Sequence, residues 1–157
     1  MALVHDFILI SQNDYNALLH STEILKYRDR HPANVAVMSD GMFAYMQDSL
    51  SWIETHNPSK NVREYGFNRY GQSMVERRGA EKFLRLMEAW FLIFSEAPDQ
   101  VILTGEYTWD GAEAPIESGY YEPLTFQREE MLDCLGRLIS FAKKVQEEDY
   151  IIIQCGI

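Results

Sequence analysis

The sequence predicts an α+β fold, or a mixed α/β one: a single globular domain over residues 1–157, with about four helices packed on a mixed sheet of about five strands. Three observations carry that reading. Apolar runs of strand length stand near both ends of the chain, in LVHDFILI and YIIIQCGI. Intervening stretches place apolar residues at helical spacing. The two kinds of segment interleave, with no internal repeat or low-complexity tract. The 157 residues, 46% hydrophobic and 24% charged, suffice to bury about 70% of the unfolded surface in one core without staples.

In chain order, residues 3 to 10 read as a strand, apolar around His5 and Asp6. It ends at Ser11, where SQND sets a hydroxyl three residues ahead of a carboxylate, the spacing of a helix N-cap. Tyr15, Leu18, Leu19, Thr22 and Leu25 form one stripe, so a helix is expected over residues 12 to 28, ended by His31-Pro32. NVAVM at 34 to 38 is a short strand. Ser39-Asp40 then caps a second helix with Met42, Phe43, Met46, Leu50 and Ile53 on one face, stopped by Asn57-Pro58. Residues 58 to 72 are polar and punctuated by glycine, the pattern of a long connection, which Tyr65, Phe67 and Tyr70 tie down.

Phe83, Leu84, Met87, Trp90, Phe91 and Phe94 make residues 73 to 96 the central helix, apolar on nearly every side at FLIF and broken by Pro98-Asp99. QVILTGEYTW alternates as a strand and a second strand follows near GYYEPL, giving a hairpin with an irregular tip. Thr125 is the expected cap of the last helix, whose wide apolar face runs from Met131 to Val145 and whose Lys143 and Lys144 suit its C-terminal dipole. YIIIQCGI closes the chain as a buried strand.

The net charge of -10 repels phosphate backbones and anionic lipid. Neither nucleic acid nor membrane is therefore an expected partner, whereas a basic protein is. The opening MALVHDFILI lacks a cationic n-region and a small-residue cleavage site, and no apolar run approaches the roughly 20 residues that span a bilayer. The cytoplasm is the expected location. Cys134 and Cys155 read as small buried side chains without a disulfide framework. His5, His20, His31 and His56 lie on different elements without metal-ligand spacing, and each reads as a surface or satisfied histidine. No G-x-S-x-G elbow or activated cysteine is recognisable, and YGFNRYG lacks the Lys-Ser or Lys-Thr ending of a phosphate cradle. Metal, cofactor and catalytic residue are all set at none, and the reading leans away from an enzyme.

One stretch stands apart. EYTWDGAEAPIESGYYEP, residues 106 to 123, holds four large aromatics and five carboxylates with no Lys, Arg or His. From Glu96 to Glu130 nine acidic residues face one basic residue, Arg128, whereas residues 60 to 88 lean basic. Tyrosine and tryptophan dominate interface energetics, and adjacent carboxylates steer a cationic partner and raise its association rate. Glu106, Tyr107, Trp109, Asp110, Glu113, Glu117, Tyr120 and Tyr121 are the expected contact surface of an acidic protein-binding module. That character is shared with inhibitors that neutralise basic enzymes by occlusion, including bacterial immunity proteins that block nuclease-type toxins. Two alternatives use the same residues differently. In a carboxylate-based enzyme or carbohydrate-type binder, two acids converge beside a ring in a pocket; in a homo-oligomeric scaffold, the FLIF helix or an open sheet edge forms a homodimer. The bland alternative is a hairpin whose aromatics cover the core and whose acids keep an edge soluble.

Overall fold

A computed structural model describes residues 3–18, 22–109, 111 and 115–156. In chain order the elements are β1 (Val4–Ser11), α1 (Gln12–Ala17), α2 (Glu23–Arg30), β2 (Val35–Ser39), α3 (Asp40–Leu50), β3 (Glu54–Asn57), β4 (Val62–Tyr65), β5 (Gln72–Val75), α4 (Arg77–Ser95), β6 (Gln100–Thr108), β7 (Tyr120–Gln127), α5 (Arg128–Glu147) and β8 (Tyr150–Cys155). The fold is mixed α+β. Its main sheet has six strands in the order β2-β1-β8-β5-β3-β4, and β6 and β7 form a separate two-stranded sheet. Every neighbouring pair in the main sheet runs antiparallel, so the single mixed sheet of about five strands gives way to a six-stranded antiparallel sheet and a ribbon.

β1 and β8 are buried on both faces, as their near-continuous apolar runs require, and both lie inside the sheet. On one face Phe7, Leu9, Val75 and Ile152 meet Met42, Met46, Phe83, Met87, Leu135 and Leu138 from α3, α4 and α5. On the other, Ile8, Ile10, Met74, Ile151 and Ile153 meet Ile24 and Tyr27 of α2, with Tyr15 and Leu18 alongside. The sheet is thus a middle layer between two helical ones. No helix among the described residues is long and apolar enough to cross a membrane.

Both serine caps form. Ser11 Oγ accepts from the Asp14 N–H and Ser39 Oγ from the Met42 N–H. Four boundaries differ from the sequence reading. The helix expected over residues 12 to 28 is two helices, because Leu18 leaves helical geometry with ψ at 124°; Leu19 and His20 lie outside the described residues. The second helix stops at Leu50, and residues beyond it become β3, whose Thr55 and Asn57 are buried. The expected connection over 58 to 72 carries β4, closed onto β3 by a turn in which Asn57 Oδ1 accepts from the Ser59 and Lys60 N–H groups and Asn61 takes a left-handed φ of 53°. The first residues assigned to the central helix are instead β5, paired with β8 and β3. Thr125 is also not a cap. It lies in β7, and α5 starts at Arg128, whose N–H donates to the Asp99 carbonyl.

α4 reaches the sheet through Gly79 in its first turn, where a Cβ would stand 2.1 Å from the Glu54 carbonyl oxygen of β3. Helix propensity alone favours alanine there by about 1 kcal/mol. The obstacle is backbone with no side chain to yield, so Gly79→Ala is expected to destabilise by about 1–3 kcal/mol. Urea unfolding checks this; a gain in stability would show that α4 does not dock this closely.

Candidate functional site

The ribbon of β6 and β7 is apolar toward the core and aromatic where it leaves it. Pairing of Val101 with Phe126 and Leu103 with Leu124 sets these side chains on one face. Val101 is buried there, with Leu103 and Phe126 packed against the main cluster. Leu124 and Phe126 close over Gly41 in the first turn of α3, where a Cβ would lie 3.3 Å from Leu124 Cδ2. The ribbon base is tied further by Arg128, which donates to the Ala97 carbonyl at 2.7 Å and to Asp99 Oδ1 at 2.5 Å. A lone two-stranded hairpin is marginal in water, and this anchoring supplies what pairing alone lacks.

Toward the tip the register shifts. Thr104 pairs with Pro123 but Tyr107 with Tyr121, so Gly105 and Glu106 stand opposite the single residue Glu122. In an unbroken strand Tyr107 shares the core-facing side of Val101 and Leu103. The extra residue moves it to the outer side, with Pro123 and Thr125. There the Tyr107 and Tyr121 rings meet edge to face with centroids 5.1 Å apart. The Tyr107 hydroxyl donates to the Ile116 carbonyl, and its ring covers Gly119.

The aromatics therefore do not cover the core. Tyr107 is 43% exposed, Trp109 41%, Tyr120 57% and Tyr121 62%, with Ile102 and Ile116 also exposed. Glu106 and Glu117 are exposed beside them, and the exposed Glu122 accepts from Thr108 Oγ1 at 3.0 Å. The structure thus gathers Glu106, Tyr107, Trp109, Glu117, Tyr120 and Tyr121 on one ribbon, while Asp110 and Glu113 lie outside the described residues. A groove beside β2 and α5 is lined by none of them, nor is a smaller one near the end of α5.

A second cluster lies at the start of α3. His5 is fully buried, its ring stacked on Phe43 at 3.8 Å. Its Nε2 lies 3.0 Å from Asp40 Oδ1, and Gln154 Nε2 lies 3.1 Å from His5 Nδ1. Both bonds are made by the tautomer protonated on Nε2, leaving Gln154 Oε1 as a buried oxygen without a partner among the described residues. Arg69 grips Asp40 from outside with Nε to Oδ1 at 3.1 Å and Nη2 to Oδ2 at 2.6 Å. This fork foremost, and the His5 bond, hold the Asp40 carboxyl below the usual carboxylate range against the opposing effect of burial. In return Asp40 raises Arg69, aided by Tyr70 and Glu106.

The sequence reading of His5 as a satisfied histidine agrees with this network, but its partners were missed. The available signal was the polar interruption of two apolar strands, by His5 and Asp6 in β1 and by Gln154 in β8. Burial pushes the Cys134 thiol up to about 12 and the half-buried Cys155 thiol up to about 11, so neither is a thiolate at neutral pH. No group of three His, Cys, Asp or Glu side chains is placed to hold a metal among the described residues. No protein-family model matches the chain, and neither the curated proteins nor the solved structures yield a match.

Proposed function

We propose that the protein is an acidic protein-binding module that neutralises a basic partner by occlusion, in the manner of an immunity-type inhibitor of a toxin or enzyme. The observation that carries this reading is the exposure of Tyr107, Trp109, Tyr120 and Tyr121 on a two-stranded ribbon separate from the main sheet. Rings with two rotatable bonds and large area give anchoring at low entropic cost, and the Tyr107–Tyr121 pair is already fixed before any partner arrives. The net charge of -10 and the exposed Glu106 and Glu117 draw a cationic protein to those rings.

The test immobilises the native chain and a Tyr120→Ala/Tyr121→Ala variant and passes the native host's lysate over both. One basic protein is expected in stoichiometric amount on the native chain at low salt, and depleted at least about tenfold on the variant. Equal recovery on both would remove the ribbon from the contact.

A further inference from the structure

β2 ends the sheet, and its outer edge is open. The Val35 N–H is taken by the Pro32 carbonyl, and the Asp40 N–H donates to the carbonyl of Leu3, the residue just before β1. Antiparallel pairing turns alternate residues the same way, so residues 36 and 38 face β1 while Val35 and Val37 turn their backbones outward. Arg137 reaches the Val35 carbonyl at 3.4 Å, and no hydrogen bond from a described residue reaches Val37 on that side. Edges are commonly blunted by proline, a bulge or a charge within the strand; VAVMS contains none of these.

This edge is the floor of a groove of about 1370 Å³, walled by Arg28 and Asp29 of α2 on one side and by Asp133 and Arg137 of α5 on the other. Its arginines are already neutralised: Arg28 by Asp6 and Asp29, Arg128 by Asp99, and Arg137 by Asp133. Glu129 and Glu130, also in the lining, have no ion pair among the described residues. Self-pairing of two β2 edges about a two-fold axis brings these uncompensated carboxylates of two chains of charge -10 together. An extended segment carrying cations meets them favourably.

We propose that the β2 edge and its groove accept an extended Lys- or Arg-bearing segment as an added strand, hydrogen-bonded to Val37 and charge-paired with Glu129 and Glu130. The inference rests on the basic-partner reading for the sign of the occupant's charge and uses none of the ribbon's exposed rings; of the ribbon only Gln127, at the end of β7, lines the groove. It assigns the partner a flexible basic segment in addition to whatever surface meets the rings.

The experiment follows amide hydrogen exchange of the intact chain with a short blocked peptide alternating lysine and valine, and with its glutamate counterpart. The lysine peptide is expected to slow exchange of the Val37 amide at least about tenfold; the glutamate peptide leaves it unchanged. Glu129→Lys/Glu130→Lys is expected to weaken lysine-peptide binding about tenfold or more. The Tyr120→Ala/Tyr121→Ala variant should bind the peptide as the native chain does, so failure of the ribbon reading leaves this result standing. An unprotected Val37 at millimolar lysine peptide, equal protection by the glutamate peptide, or protection confined to β6 and β7 would each overturn the proposal.

Discussion

Replacing Asp40 by alanine is expected to lower stability by about 1–4 kcal/mol, read from the midpoint of urea unfolding. The larger share comes from His5, which has no access to water and loses the acceptor of its Nε2 proton, a loss worth about 1–3 kcal/mol. The Arg69 pair adds less, about 1 kcal/mol at most, because the guanidinium side is open to solvent. The same residue sets a pH signature. Its carboxyl holds a proton less readily in the folded chain than in the unfolded one. The stability it contributes is therefore complete above the ordinary carboxylate value of about 3.9 and is lost as the pH falls through the lower folded value. The native and Asp40→Ala curves of stability against pH should run parallel near neutrality and converge below about pH 4. Curves that stay parallel into strong acid would show that the Arg69 fork does not govern Asp40.

How far the fold was legible depends on whether its determinants are local. The Ser11 and Ser39 caps each act on an N–H three residues away, and a short reading frame finds them. β4 and β5 are four residues each, too few for a period to emerge, and β5 owes its place to β8, about eighty positions later in the chain. Met74 and Val75 fall within the span expected to be the central helix, yet they belong to opposite faces of the sheet. The ribbon shows the same division. Its alternation and aromatic content lie in the sequence, but the face Tyr107 occupies is decided by one extra residue between Thr104 and Tyr107. His5 and Gln154 were visible as polar interruptions; that they meet each other beside Asp40 follows only from the pairing of β1 with β8.

Reversing two ribbon charges, Glu106→Lys with Glu117→Lys, is expected to slow association with the basic partner at least about tenfold at low salt. Both side chains are exposed and neither closes a core contact, so the fold should survive. Each reversal moves the net charge of -10 by two and inverts the potential nearest the rings. The dependence of association rate on ionic strength should flatten with it, since long-range attraction fades over a Debye length of about 10 Å at 0.1 M salt. Dissociation should change little, because an exposed carboxylate that remains near water in the complex contributes little to holding it. Tyr120→Ala/Tyr121→Ala should do the opposite: it leaves the field intact and removes desolvated anchors, speeding dissociation with association nearly unchanged. Stopped-flow association and dissociation of the captured partner separate the two effects. An unchanged association rate in the charge-reversed chain would mean that the acids serve solubility alone and that the rings act without steering.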